Sequence, residues 1–442
     1  MYSGDECMAI MYTKPLEIYD KAEIIVAGGG PSGVAAAVCA ARQGKKVILL
    51  EQSGSLGGSS ILSMVAELMN FDDGCNFISR GIGEEVFQKL HLQNERKREW
   101  YNVRYEELKR VYDDMVLDAK VTVMFYSRMV DVICSNGTIS NLIVSGPDGL
   151  FALEGEFFID CTGTGSLASL AGAEFLYGDE LGNTMSATIC SLWGGIDFSK
   201  KSIDSANYEK AYNDGVFSQY DSVLPGIKAN YTEIGVGGGN VGHCFGVDDR
   251  DIKSLSSAMF TGRKILAEYE KYYQNYVSGC EKATLIKSAD YIGIRESRRI
   301  LCEYTLTTDS FYAQESFPDE IGRYSYPIDI HPMTPDKNGM NAFCHAISMR
   351  HNNGETYSIP YRSLVPKGLN NVLVAGRCIG TDRGMQASTR VIPCCYITGQ
   401  AAGIAAAVCV DDRTMAKHAD IAKIQNRIKN IYVRIAKTHI CS

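Results

Sequence analysis

Residues 22–52 read AEIIVAGGGPSGVAAAVCAARQGKKVILLEQ and contain a complete strand, helix, strand unit. Ile24 to Ala27 is a short apolar, β-branched run of the kind that forms a buried parallel strand. It enters Gly28-Gly29-Gly30-Pro31-Ser32-Gly33, which places Gly28, Gly30 and Gly33 at the fixed positions of G-x-G-x-x-G. Val34 to Arg42 is a helix of small residues, Gly44 ends it, and Val47 to Leu50 is a second buried strand closing on Glu51. Each glycine has its own reason. Gly28 permits the tight turn, Gly30 lets a pyrophosphate approach the backbone, and Gly33 lets the helix pack on the strand. The amides and dipole of that helix N-terminus, with Pro31 and Ser32 in its first turn, then hold phosphate. Glu51 stands where a carboxylate accepts hydrogen bonds from a ribose diol. Because all these parts occur in register, the expected ligand is a dinucleotide.

Three further stretches bear on which dinucleotide. Gln52 to Ser60 follows the acid with a second glycine pair, Gly57-Gly58, suited to a loop passing close to another phosphate or ring. Phe157 to Gly165 (FFIDCTGTG) and Asn371 to Arg377 (NVLVAGR) are strands running into glycine turns. With these, the chain resembles the FAD-dependent oxidoreductases of the two-dinucleotide-binding type. It looks closest to the bacterial family with GGGPSG, an R-E-S-R-R stretch and a C-terminal G-Q-A-A-G helix. It is more distantly similar to the succinate dehydrogenase and fumarate reductase flavoproteins.

The resemblance implies an α/β protein whose Rossmann-like FAD-binding domain, of the glutathione-reductase type, carries an inserted α+β substrate domain. The expected parts are residues 1–172 for the first part of the FAD-binding domain, 173–362 for the insert and 363–442 for the C-terminal part. It also implies that Met129 borders the adenine, that Thr162 and Gly163 close the adenosine end, and that Gln52, Gly57, Gly58 and Ser59 lie along the cofactor. At the far end Gly376, Arg377, Val391 and Ile392 return to it. The fumarate-reductase H-G-A-N-R-L-G-G-N-S signature is replaced by Gly384-Met385-Gln386-Ala387-Ser388-Thr389-Arg390, which argues against fumarate-type substrates. Ser59 and Ser60 follow Gly57-Gly58 where an attachment histidine would stand, so FAD is expected to be non-covalent.

Composition bounds the rest. The 442 residues, 45% hydrophobic and 22% charged, are ordinary for a soluble globular protein. A net charge of −8 lacks the basic face that nucleic acid or an anionic membrane requires. No signal sequence is read at the N-terminus, and the longest apolar tract, Ala401 to Val410, is too short to span a bilayer. The expected location is cytoplasmic. Fifteen cysteines are scattered without C-x-x-C spacing, so no metal framework is expected, and the neighbouring Cys394-Cys395 pair is expected to serve packing.

In chain order, helices are expected at Ile82–Leu92 and Tyr105–Ala119, with the charged run Glu95 to Glu99 as a solvated face. Strands follow at Val121–Phe125, Met129–Cys134 and Ile139–Val144. Within the insert, Met185–Trp193 is expected as one strand, Val236–Asn240 as a glycine loop and Asp251–Tyr276 as a long helix. Arg377 to Arg390 is expected as a loop before the small-residue helix from Cys394.

Two stretches carry candidate chemistry. Arg295-Glu296-Ser297-Arg298-Arg299 fits either a carboxylate or phosphate anchor or an internal ion cluster around Glu296. The resemblance favours Arg295 and Glu296 near the flavin ring, with Arg298 and Arg299 in support. In Tyr326 to His331, strand alternation puts Asp329 and His331 on one face, where an acid orients a histidine as general base. Arg390, ahead of the C-terminal helix, is expected to add positive charge at the flavin. His345 and Tyr361 are reserves, with His243 and His351 behind them. The expected activity is hydride transfer between flavin and an alcohol or amine carbon of a small polar substrate, with an unidentified electron acceptor or donor. Reduction of an activated C=C bond by an arginine proton donor is the alternative. A non-catalytic FAD-binding or tRNA-modification partner protein is a third reading.

Overall fold

The computed structural model describes residues 10–92, 100–223 and 226–438, with the side chains of 346 and 433–438 left aside. The charged run Glu95 to Glu99 lies outside the described residues. Seven strands form the main sheet: β1 (Ile18–Ala27), β2 (Val47–Leu50), β3 (Thr122–Met124), β4 (Arg128–Ser135), β5 (Thr138–Gly146), β6 (Gly149–Asp160) and β7 (Val372–Val374). They lie in the order β3-β2-β1-β6-β5-β4, with β7 also on β6. All four residues of β2 are buried, as are the last four of β1 and of β6. Strands covered on both faces need such unbroken apolar runs.

Strand β6 is long enough to take two partners along one edge. Its first half pairs antiparallel with β5, while Phe158 to Asp160 pair parallel with β7. Strands β3, β2, β1, β6 and β7 therefore run parallel, and their carboxyl ends open on one side of the sheet. Ligands of open α/β sheets bind at that edge. The protein is thus a mixed α/β fold around a largely parallel sheet.

Helices pack on this sheet and on one another. The first, α1 (Pro31–Arg42), is buried from Pro31 to Ala40. Another long helix, α2 (Ile252–Tyr276), belongs to the middle of the chain, where Tyr273 meets the buried Trp193 edge-on at 5.1 Å. Two later helices, α3 (Arg383–Thr389) and α4 (Ile392–Asp412), precede the C-terminal helix Ile421–Thr438. Helix α4 lies on α1 with backbones nearly touching. A Cβ at Gly399 would stand 2.2 Å from the Ser32 carbonyl oxygen, and one at Gly403 2.2 Å from that of Ala36. The G-Q-A-A-G motif is thus a close-packing seam, which only glycine allows. Gly403→Val is expected to destabilise the protein by about 1–3 kcal/mol, because backbone must move to admit the side chain. A thermal midpoint equal to wild type would remove that role.

Several local expectations are corrected. Helix α4 is long and apolar enough to cross a membrane by length and composition, unlike the shorter tract read from sequence. Every residue from Ile392 to Cys409 is buried inside the protein, which accounts for a helix apolar all round. Residues 377–390 are not one loop: they contain α3, capped by Asp382 accepting from the Met385 amide at 2.7 Å. Met185–Trp193 is broken into strands Ala187–Thr188 and Ser191–Gly194. Val236 to Gly239 is a strand rather than a loop, within a four-stranded sheet of Ile227–Tyr231, Val236–Gly239, Ser191–Gly194 and Thr284–Ser288. Its glycines admit neighbours: a Cβ at Gly239 would lie 2.7 Å from the Trp193 indole nitrogen. Finally, residues 325–331 form no strand, so alternation does not place Asp329 and His331.

Candidate active site and cofactor cradle

At the carboxyl ends of β1 and β2 the glycine turn has the shape its sequence requires. Gly28 has φ +99°, and a Cβ on Gly33 would stand 1.8 Å from the Gly28 carbonyl oxygen. Gly30 is different. Its φ of −69° suits any residue, and a Cβ there would find no atom nearer than Gly58 Cα at 3.9 Å. The protein itself leaves room at Gly30. Pro31 occupies the first helical position, and no side chain caps the amides of the α1 N-terminus. Gly58, with φ +47°, crosses close by: a Cβ on it would lie 3.0 Å from Gly30 Cα. Open space, an uncapped helix end and a second glycine loop make a cradle that fits a pyrophosphate.

Glu51 is buried beside it, accepting from the Gly29 amide at 2.9 Å and the Ser53 amide at 2.8 Å. Gln52 is exposed, and Ser59 lies in the 3₁₀ turn Gly58–Ser60. Met129 is half-buried on β4 opposite Val144. The Thr162 hydroxyl donates to Asp160 at 2.7 Å, shaping the turn that contains Gly163. Arg377 donates from Nε to the Gly163 carbonyl and from Nη1 to that of Ile294, and Arg298 reaches the Thr164 carbonyl. These arginines fasten the 294–298 stretch to the end of β6. The Gly376 amide donates to the Thr398 hydroxyl, and Val391 is the N-cap of α4 with Ile392 its first residue. Glu51→Ala is expected to weaken FAD binding by about 1–3 kcal/mol, the scale of charge-assisted hydrogen bonds to a ribose. Equal affinity by titration of apoprotein would remove Glu51 from the site.

The arginine-rich motif divides its labour. Glu296 is saturated: it accepts from Arg299 at 2.6 Å, from Arg383 at 3.1 Å and from the Met185 amide at 3.0 Å. It is an ionic clamp between the motif and α3. Arg295 faces elsewhere, donating to the Ser186 carbonyl, the Thr188 hydroxyl and Asn240 Oδ1. Among the described residues these bonds take three of its five N–H groups. Burial, and then the nearby Arg390, lower the Arg295 pKa to about 10.

Ser186 also donates its amide to the Pro332 carbonyl, so Arg295 lies beside His331. His331 Nε2 is 3.4 Å from Asp329 Oδ1, and Asp329 Oδ2 takes Arg390 Nη2 at 3.0 Å and the Tyr326 hydroxyl at 3.1 Å. Burial works against the charge of Asp329, but the Arg390 and Arg295 guanidiniums hold its pKa below the usual carboxylate value. Burial, then Arg295, push the His331 pKa well below that of free imidazole, so the ring is neutral. Arg390 directly precedes the N-cap of α4, and so ties this acid–histidine pair to that helix's positive end. Three of the buried polar atoms that have no hydrogen-bond partner among the described residues lie here: Gln386 Oε1, Arg390 Nε and Asp329 Oδ1. A ligand or an ordered water satisfies groups of this kind.

His243, set aside on sequence, joins the same cluster. It sits on the two-stranded ribbon Ala187–Thr188 and His243–Cys244, with Nε2 2.8 Å from His331 Nδ1 and Nδ1 2.8 Å from Asp221 Oδ1. The reserves lie elsewhere. Tyr361 donates to the Ala416 carbonyl, His351 pairs with the Phe311 carbonyl and His345 is exposed. Cys394 and Cys395 are buried thiols, the latter pushed up to about 12 by burial.

The parallel sheet and the cradle at its carboxyl edge define a dinucleotide-binding protein. A family model described as FAD dependent oxidoreductase matches residues 23–428, and the chain belongs to that family. It is an FAD-dependent oxidoreductase. No curated protein sequence matches the chain. Among solved structures it is similar to a geranylgeranyl bacteriochlorophyll reductase-like protein from Thermoplasma acidophilum. The identity there is 11% and the TM-score 0.48, over 94% of this chain and 84% of that one. It is similar also to p-nitrophenol 4-monooxygenase from Pseudomonas putida, at 10% identity and TM-score 0.49, over 93% and 86%.

Proposed function

We infer that the protein oxidises a small polar substrate at an alcohol or amine carbon, passing a hydride to non-covalently held FAD. The observation that carries this is a buried His331 beside a buried Asp329 that Arg390 fastens to the head of α4, with burial pushing the His331 pKa well below that of free imidazole. FAD, when bound, supplies the two-electron acceptor. His331 takes the substrate O–H or N–H proton as the carbon loses hydride, so the products are a carbonyl or imine and reduced cofactor. Asp329 stabilises the imidazolium that results, and Arg295 orients the substrate through its remaining N–H groups. A second redox partner, not identified by this site, restores the oxidised cofactor. Residues 1–172 and 363–442 then act as the two parts of a glutathione-reductase-type cofactor domain, and 173–362 as the substrate part. The acidic balance fits a cytoplasmic enzyme working without nucleic acid or membrane.

The buried position of Arg295 beside His331 also admits the reverse chemistry. The lowered Arg295 pKa of about 10 would make that residue a better proton donor for reducing an activated C=C bond. Anaerobic mixing with pools of alcohols, amines and enoates separates the two. Bleaching of the yellow oxidised protein by an alcohol or amine supports oxidation. Reoxidation of pre-reduced protein by enoates alone overturns it. Acid precipitation should leave the yellow colour in the supernatant.

A further inference from the structure

We propose that Asp221 and His243 fix the tautomer of His331, leaving Nε2 as the bare nitrogen that accepts the substrate proton. The inference rests on His331 being the base, and it names the atom and what holds it ready.

Four groups form a buried line: Asp221, His243, His331 and Asp329. Two contacts in it are hydrogen bonds of 2.8 Å, Asp221 Oδ1 to His243 Nδ1 and His243 Nε2 to His331 Nδ1. The third, His331 Nε2 to Asp329 Oδ1, is 3.4 Å, and among the described residues that oxygen has no hydrogen-bond partner. With one ring proton on each imidazole, two protons are available and there are two short links to fill. Asp221 decides how. Its Oδ2 accepts the His243 backbone amide at 2.7 Å, which pins the carboxylate. Although burial opposes its charge, the hydrogen bonds it accepts from the His243 ring and backbone hold its pKa below the ordinary value. An ionised oxygen accepts only, so His243 Nδ1 carries a proton and His243 Nε2 is an acceptor. His331 Nδ1 must then donate to it, and His331 Nε2 is left bare.

The opposite assignment would set a bare His243 Nδ1 against the Asp221 carboxylate at 2.8 Å in a dry site. It would leave the proton to the longer, 3.4 Å contact. A proton taken from substrate at Nε2 instead makes the ring an imidazolium, whose charge Asp329 at 3.4 Å stabilises. Arg295, Arg390 and the Tyr326 hydroxyl are the other charged or titratable groups packed about this end. Asp221 and His243 are positioning residues.

Asp221→Asn tests this with little change in shape. The His243 backbone amide needs an acceptor, so the amide oxygen faces it and the NH₂ faces His243 Nδ1. Both rings should then invert, putting the proton of His331 on Nε2, as happens when the triad aspartate of serine proteases becomes asparagine. Long-range ¹H–¹⁵N correlation spectra of histidine-labelled holoprotein at about pH 8, where free imidazole is neutral, report which ring nitrogen bears the proton. Signals are assigned by His331→Gln and His243→Gln. The expected result is a bare Nε2 on His331 in wild type and a protonated one in Asp221→Asn, with FAD retained. A protonated Nε2 in wild type overturns the proposal, and so does an unchanged tautomer in the folded variant. The spectra need no substrate, so undiminished flavin reduction by His331→Ala would overturn the base assignment separately.

Discussion

His331→Ala should slow reduction of the bound flavin by about 10²–10⁴ while FAD stays bound, the range for removing a positioned acid–base group. Three features of the site lead to this. The ring is neutral, Asp329 stands ready to stabilise its charged form, and Arg390 joins the pair to the head of α4. Loss of the imidazole also leaves His243 Nε2 without its partner, so the thermal midpoint must be measured alongside. His331→Gln, which fills more of the space, separates lost chemistry from lost packing. The pH dependence has a definite sign. The base must be neutral, and its pKa lies well below 6.5, so the rate is level above about pH 6.5 and falls only in more acid solution. An unperturbed histidine would instead give an inflection near pH 6.5. Undiminished reduction by a well-folded His331→Ala protein, tested with a bleaching substrate, would falsify the assignment.

Gly30→Val should abolish tight FAD binding, by at least about 100-fold or about 2.8 kcal/mol, while leaving the apoprotein folded. The contrast with Gly33 makes this specific. At Gly33 a Cβ would collide with the chain itself, 1.8 Å from the Gly28 carbonyl oxygen, so substitution there damages the turn with or without ligand. At Gly30 the nearest atom is 3.9 Å away and φ is −69°, so valine costs the apoprotein no more than about 1 kcal/mol as a poorer N-cap. Its methyl groups then occupy the space over the α1 amides where phosphate would bind. Unchanged melting of the apoprotein with colourless purified protein is the expected pair of results. Tight FAD binding by the valine variant would move the pyrophosphate elsewhere.

Much of the architecture was legible because it is local. A strand, a glycine turn, a small-residue helix and a second strand within 31 residues report a βαβ unit through covalent proximity and side-chain period alone. The hairpin of β4 and β5 was legible for the same reason, its turn residues lying between two alternating runs. Helix α3 had a signal too. Asp382 is a regular N-cap, and Gly384 two residues later is a poor helix former that weakens that signal. The strand Val236–Gly239 misled in the opposite way. Glycines are depleted from strands in general, yet here they serve the close approach of Trp193 and Lys228.

From the sequence by itself came the dinucleotide turn, its acid, the small-residue helix α4, and Asp329 and His331 as an acid–histidine pair. The tertiary structure alone decided what surrounds that pair. His243 reaches His331 across 88 residues and Asp221 lies a further 22 back, joined through short ribbons and irregular segments that leave no periodic trace. Asp329 and His331 meet by the packing of an irregular stretch after Pro327, not by strand alternation. Likewise Glu296 became a clamp and Arg295 a neighbour of His331 because Arg383 and Arg299 claimed the carboxylate. A sequence fixes which groups are present and their local period. Which of them share a buried, proton-counting network depends on how distant elements close around it.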